Sequence, residues 1–248
     1  MSGHSKWSTI KREKGAKDAK RGKIFTKIAR DITVAARSGG DPAGNPALRL
    51  ALSAAKAANM PKDNQERAIK KGTGELVGGD LDEARYEGRG PQGTAFLVEV
   101  LTDNRNRSHA EVRVVFTKGG GELGSANSVG WMFDLKGVIV IAKDKIDEDA
   151  LTERGLELGA EDVRDEGDQW VVLCDPSDFA SIATGLEDLE PSLAERQYLP
   201  KPQNELTVEG EGAVAVAKMW AKLDELDDVQ NVFTNATLPD DVMEEHGP

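Results

Sequence analysis

The sequence predicts an α+β chain made of a small helical unit followed by two sheet-bearing units, and three observations carry that prediction. Charge divides sharply along the chain: residues 1–72 hold 17 Lys and Arg against 6 Asp and Glu, a net of +11, while the remaining 176 residues net −23. Periodicity changes at the Gly-rich stretch 72–82, from helical spacing before it to strand-like runs after it. Beyond it, residues 137–200 read strand, helix, strand, strand, helix, strand, which is the ferredoxin-like order.

The elements follow in turn. Residues 1–22 are polar, basic and punctuated by Gly3, Gly15 and Gly22, and read as an arm. From Lys20 to Arg37 a helix is expected, its regular part starting near Arg21. Ile24, Phe25, Ile28, Ile32, Ala35 and Ala36 fall within an arc of about 120° at helical spacing. Lys20, Lys23, Lys27, Arg30 and Arg37 occupy an arc of about 100° on the other side. Asn45-Pro46 supplies an N-cap and first-turn proline for a second helix striped by Leu48, Leu52, Ala55 and Ala58. Asp63 with Glu66 resembles a capping box for a third helix closed by Gly72.

After the linker, Thr94–Leu101 reads as a buried strand. Ser108 with Glu111 reads as the cap of a helix stopped by Gly119-Gly120-Gly121. Ser128–Asp134 and Gly137–Ala142 read as two strands, and Glu148–Leu158 as a helix ended by Gly159. Asp162–Asp165 and Gln169–Cys174 read as a hairpin about Glu166-Gly167-Asp168. Ser177–Leu189 reads as helix and Leu193–Tyr198 as strand. Leu206–Glu209, Ala213–Leu226 and Val229–Asn235 give a final strand, helix and strand. The economical division is a basic helical domain with its arm at 1–80, a discontinuous α/β domain at 81–135 and 203–239, an inserted ferredoxin-like domain at 136–202, and a loose acidic tail at 240–248.

Composition narrows the function. The single cysteine, Cys174, excludes an internal disulfide and reads as a small buried residue within a strand. Three scattered histidines make a structural zinc site improbable on ligand count, so no metal and no cofactor are expected. No P-loop is present. Gly119–Gly124 follows a helix and precedes a strand, the reverse of a phosphate loop, and reads as a turn. Carboxylate pairs such as Glu187-Asp188 and Asp227-Asp228 read as solvated faces. No nucleophile, base and oxyanion donor assemble, so a non-enzyme is expected. No run approaches a membrane span and the basic start lacks a secretory core, so a cytoplasmic protein without membrane or small-molecule partners is expected.

The chemistry points to phosphate. Lys6, Lys11, Arg12, Lys14, Lys17, Lys20, Arg21, Lys23, Lys27, Arg30 and Arg37 stand against only Glu13, Asp18 and Asp31, a density that neutralises a phosphate backbone. Trp7 among them either stacks on an unpaired base or anchors the arm. Arg105 and Arg107, in Asn104-Arg105-Asn106-Arg107, either build an anion site beside helix N–H groups or clamp onto Asp103 and Glu99.

Several of these blocks resemble the YebC/PmpR family. They are Gly3–Trp7, Asp18–Lys27, Asp41-Pro42 with Asn45-Pro46, Tyr86-Glu87-Gly88 with Gly90-Pro91, Leu101–Arg107, Glu111-Val112-Arg113, Gly119–Gly124 and Asp228–Phe233. Asn127-Ser128-Val129 stands where the family shows Gly-Ser-Val. The resemblance implies a three-domain, non-enzymatic regulator. Bacterial members are described as transcriptional regulators that bind DNA. Related members act in translation, among them a mitochondrial translational activator of cytochrome c oxidase and ribosome-associated factors that relieve stalling.

The expected function is therefore a nucleic-acid-binding regulator of gene expression that docks through its basic end. The expected partner is DNA or ribosomal RNA, with the ribosome as a further candidate, and the protein is expected to be a monomer. Two alternatives remain: a translation factor on ribosomal RNA, and a protein-interaction module that grips a basic partner with its acidic domains.

Overall fold

The computed structural model describes residues 18–77 and 80–248, with side chains in the first helix described from Gly22 onward. Three helices form the N-terminal unit: α1 (Asp18–Ala36), α2 (Pro46–Ala57) and α3 (Lys62–Gly72). Ile32 and Ala36 of α1 are buried against Leu48, Ala55, Met60 and Ala68, with Phe25, Ile28 and Leu52 packed around them. The apolar side of α1 thus faces inward as its spacing requires. The helix starts at Asp18, ahead of the expected Arg21.

Asn45 fastens two helices at once. Its Oδ1 accepts from Leu48 N at 3.1 Å, capping α2, and its Nδ2 donates to Ala35 O and Gly39 O at 2.7 and 2.8 Å. The helix α3 begins after Pro61 with no side-chain cap, so Asp63 is not the N-cap the sequence suggested. Proline holds its φ at −57°, already set for a helix entry. At the other end a Cβ on Gly72 would sit 2.3 Å from Thr33 O, so glycine is what lets α3 approach α1.

The second unit has strands β1 (Asp82–Arg89), β2 (Ala95–Thr102) and β3 (Glu122–Leu123), with α4 (Arg105–Lys118) between β2 and β3. The chain then departs into an inserted unit: β4 (Phe133–Ala142), α5 (Glu148–Leu158), β5 (Asp162–Asp165), β6 (Gln169–Cys174), α6 (Phe179–Gly185) and β7 (Leu193–Pro200). It returns through β8 (Leu206–Thr207), α7 (Gly210–Asp224), β9 (Val229–Thr234), β10 (Ala236–Thr237) and α8 (Asp240–His246). Short β8 and β10 pair in parallel beside the main sheets.

The inserted sheet runs β5-β6-β4-β7, all antiparallel, which is the ferredoxin-like order for four successive strands. The outer sheet runs β3-β1-β2-β9 and is also antiparallel throughout. It has the same layout with one strand moved in the chain: the strand that would come third comes first, as β1. The insertion fills the place that strand would have left. The fold is thus α+β, a helical unit followed by two ferredoxin-like units with one inserted in the other.

Several expectations need correction. The strand β1 was not expected, because Asp-Glu-Ala-Arg-Tyr-Glu-Gly-Arg shows little apolar alternation; only Glu87 and Gly88 of it are buried. The two strands expected at 128–134 and 137–142 are one strand, β4, preceded by a 3₁₀ turn at Gly130–Met132. Gly137 lies within it because a Cβ there would strike Cys174 Sγ and Phe179. The tail is not loose. Its helix α8 packs on α7, with Met243 buried and Val242 against the outer core.

Both faces of the outer sheet are used. Phe96, Val98, Val112, Phe116, Val216, Met219 and Leu223 form the core under α4 and α7, with Phe96 and Phe116 edge to face at 6.2 Å. Burying each such aromatic contributes roughly 1.5–3 kcal/mol. On the opposite face Leu97 and Phe233 meet Val129, Met132, Phe133 and Tyr198, which seats the inserted unit against the sheet. No helix among the described residues is long and apolar enough to cross a membrane.

The turn leading into the insertion is held by one carboxylate. Glu87 accepts from Val129 N at 3.0 Å and Gly130 N at 2.7 Å, and Arg85 stands 3.4 Å away. Burial alone would raise its carboxyl; the backbone donors outweigh burial and hold it below the usual range. Asn127 takes φ +64° here. That is a left-handed position, which asparagine tolerates better than other non-glycine side chains.

Candidate nucleic-acid interface

The acidic end of α7 sits where the basic face of α1 can reach it. A helix C-terminus carries carbonyls without intrahelical partners and the negative end of the helix dipole. Here the sequence adds Asp224, Asp227 and Asp228. Lys27 Nζ donates to the Asp224 carboxylate at 2.7 Å, and Lys23 Nζ lies 3.3 Å from the same carboxylate while donating to Asp224 O. Arg30 donates to Asp227 O and, at 2.9 Å, to Asp228 Oδ1. Burial lowers the Lys23 ammonium pKa; Asp224 opposes that shift, and neighbouring Lys27 adds to it. Arg37 donates to Leu81 O at 2.7 Å, tying the end of α1 to the linker.

Asp228 is the hub of this corner. Its side chain is 4 % exposed. Oδ2 accepts from Arg107 at 2.7 Å, from Ser108 Oγ at 2.7 Å and from Thr102 Oγ1 at 3.0 Å, while Oδ1 takes Arg30. Leu101 N donates to its backbone carbonyl at 2.9 Å. Burial pushes the Asp228 carboxyl up, but the hydrogen bonds from Ser108, Arg107 and Thr102 together hold it below its ordinary value. One carboxylate therefore joins α1, the end of β2 and the first turn of α4. It also brings together two candidates that the sequence kept apart, the α1 stripe and the Asn104–Arg107 loop.

That loop is built differently from the expectation. Asn104 is the N-cap of α4: its Oδ1 accepts from Arg107 N at 3.1 Å. Ser108, expected as the cap, lies buried inside the first turn and serves Asp228 instead. Arg105 donates to Asp82 and to Glu83 O, and Arg107 to Asp103 and Asp228. Hydrogen bonds to Asp228 and Asp103 raise the Arg107 pKa further. The clamp arrangement is thus present, with Asp228 in the place expected for Glu99. Glu99 instead accepts from Asn231.

Lys6, Trp7, Lys11, Arg12, Lys14 and Lys17 lie outside the described residues, as do the side chains of Lys20 and Arg21. Of the remaining candidates, Lys23, Lys27, Arg30, Arg105 and Arg107 are already engaged with carboxylates of this chain. Reading Asp227-Asp228 as a solvated face was wrong for Asp228. An acidic pair in an acidic sequence carries no mark of burial, and only Val229–Phe233 immediately after it hinted at a core strand.

Sequence reasoning also passed over a second set of cations. Arg49 and Lys56, one seven-residue step apart, share an exposed strip of α2 that borders its apolar stripe of Leu48, Leu52 and Ala55. Lys62, Arg67, Lys70 and Lys71 occupy the outer arc of α3 and share it with Asp63 and Glu66. All six cations are exposed, and none forms an ion pair among the described residues. By contrast, ten of the fifteen Lys and Arg after Gly72 are paired.

Among the described residues no cluster of His, Cys, Asp or Glu is arranged to hold a metal ion. A shallow apolar groove beside α4 is lined by Ala110, Glu111, Val114, Val115 and Leu226 and brings no nucleophile to a base. Cys174 is buried, and burial raises its thiol pKa to about 11.

Two family models match the chain: the TACO1/YebC protein N-terminal domain over residues 5–75, and the TACO1/YebC second and third domain over residues 81–236. A probable transcriptional regulatory protein of Desulforapulum autotrophicum is 54 % identical over 245 residues, 98 % of this chain and 99 % of that protein. One of Geobacter sulfurreducens is 52 % identical over 245 residues, again 98 % and 99 % of the two chains. A solved structure of a conserved hypothetical protein of Aquifex aeolicus is similar at TM-score 0.80 and 42 % identity, covering 90 % of this chain and 92 % of that one.

Proposed function

The chain belongs to the TACO1/YebC family, whose relatives are named as probable transcriptional regulatory proteins, and from that premise we propose that it is a non-enzymatic, DNA-binding regulator of gene expression. The reading rests on one observation. The helical unit presents six exposed cations without ion pairs among the described residues, whereas most cations of the acidic body are paired. Unpaired lysines and arginines on a helical surface attract a phosphate backbone, and release of its counterions drives binding. The acidic body repels the same backbone and keeps the contact at one end. The basic arm, Lys6 to Arg21, adds to that end.

A salt titration tests this. Binding of the full chain to duplex DNA should weaken with salt, with a logarithmic slope of roughly −0.9 per phosphate contacted, or about −0.7 on single strands. A binding constant indifferent to salt overturns the reading.

The second reading keeps the chemistry and changes the polyanion to ribosomal RNA in a translation factor. Phosphate contacts position a protein without reading sequence, so the exposed cations of α2 and α3 serve either backbone. Sedimentation of lysate separates the two: co-migration with ribosomes favours translation, and a promoter footprint at physiological salt favours transcription. The acidic units as grips for a basic protein form a reading of another class; retention of nucleic-acid binding by the intact chain argues against it.

A further inference from the structure

The contact between α1 and the end of α7 has the composition of a protein–phosphate contact made within one chain. Lys23, Lys27 and Arg30 follow at spacings of four and three residues, so they share one helix face. Opposite them stand carboxylates and carbonyls that a nucleic-acid backbone could replace oxygen for oxygen. We propose that Asp224, Asp227 and Asp228 act as a latch that occupies this face, and that a nucleic-acid backbone displaces Asp224 to reach it. This rests on the phosphate-binding reading given above.

Three features make the latch one that opens. Its outer part is under-neutralised: the single Asp224 carboxylate serves both Lys23 and Lys27. A phosphate chain brings one anion per nucleotide and leaves neither lysine short. The pairs are also part-exposed, at 21–31 % for the three side chains, so water and dissolved anions reach them.

The joint also has little apolar cement. Leu50, packed on the α6 side of the inserted core, is the one described residue of the helical unit that joins an apolar cluster of the body. Polar contacts accompany it: Gln230 Nε2 lies 3.4 Å from Lys27 O and Asp31 Oδ1, and its buried Oε1 finds no donor among the described residues. Opening thus exposes almost no core.

The helical unit has its own core, built on Ile32, Ala36, Leu48, Ala55, Met60 and Ala68, so it parts from the corner without unfolding. Asp228 is placed differently from Asp224. It is deep, multiply bonded and needed by α4, so it marks the fixed end of the latch, and Asp224 the yielding end.

The test uses the full chain, with Asp224→Asn and a control, Glu157→Gln. The control removes the same charge from an exposed position on α5. Anisotropy of a labelled DNA duplex and a labelled RNA hairpin gives affinity at fixed salt. Labels at Ser53→Cys and Glu153→Cys report the distance between α2 and α5; Cys174, buried with a raised thiol pKa, stays unlabelled. The expected result is binding by Asp224→Asn about threefold to tenfold tighter than the unaltered chain. Glu157→Gln should stay within about twofold, and the inter-label distance should lengthen when nucleic acid is added.

Equal affinity of Asp224→Asn and the unaltered chain overturns the latch while leaving the phosphate reading intact. So does an equal gain in Glu157→Gln, which would be a general charge effect, or a fixed distance in a chain that binds. Failure of the unaltered chain to bind either probe overturns both.

Discussion

Two sets of cations in one helical unit have opposite fates. Lys23, Lys27 and Arg30 on α1 are bound to carboxylates and carbonyls of the acidic corner at 224–228. Arg49, Lys56, Arg67, Lys70 and Lys71 on α2 and α3 form no ion pairs among the described residues. The difference is one of orientation: α1 turns its polar face toward the body, and the outer faces of α2 and α3 turn toward solvent. It teaches that charge density along a chain sets the sign of its long-range attraction, while the fold settles which charges are left outside ion pairs.

The comparison breaks hardest at Asp228. Asp228→Ala leaves Arg30, Arg107, Ser108 and Thr102 without their shared acceptor, and should cost about 3–5 kcal/mol in urea unfolding at pH 7. The carboxyl is held below its ordinary value in the fold, so its contribution is present above the unfolded pKa of about 4 and is lost as pH falls through the lower folded value. Asp228→Asn should accordingly flatten the acid limb of the stability profile. An unchanged midpoint in urea would mean that the corner is not a hub.

A buried carboxylate away from α1 provides the contrast. Glu87→Gln weakens the charged acceptor of Val129 N and Gly130 N and should lower stability by about 2 kcal/mol. Nucleic-acid affinity of the folded protein should not move, because Glu87 touches neither set of cations. A loss of affinity matching that of a cation variant would erase the distinction between the corner and the turn.

Next in size comes the exposed set. The triple variant Arg67→Ala, Lys70→Ala, Lys71→Ala should reduce affinity about tenfold or more and shrink the salt slope by roughly 2–3, at little cost in thermal stability. The smallest effect is expected from Lys27→Ala. Under the proposed latch it removes an internal ion pair and a phosphate contact together, so affinity should stay within about threefold. A larger loss there than in the α3 triple would reverse the ranking of the two faces.

Much of the architecture was legible. The α1 stripe, Asn45 before Pro46, the strand-rich inserted unit and the Glu166–Asp168 hairpin all follow local rules, and each sits where its rule puts it. The strand β1 was hidden because its sequence is polar; neighbours β2 and β3 on both sides make it a strand. Ser108 was misread because a serine followed by Glu111 satisfies a capping pattern that Asn104, four residues earlier, actually fulfils. The candidate site was legible as a charge density and as an arginine loop. Its partner residues were not, since Asp224 and Asp228 look like any other acids in an acidic stretch.

By itself the sequence determined the helical period of the basic end, the order of strands and helices in the insertion, and the net +11 against −23 that sets the direction of attraction. Tertiary structure decided which of those charges are spent. Lys23 and Asp224 are 201 positions apart, and Arg30 and Asp228 are 198. Local periodicity acts between neighbours in the chain and can be read from it. An ion pair depends only on distance in space, and only the closed fold brings α1 and the end of α7 within reach.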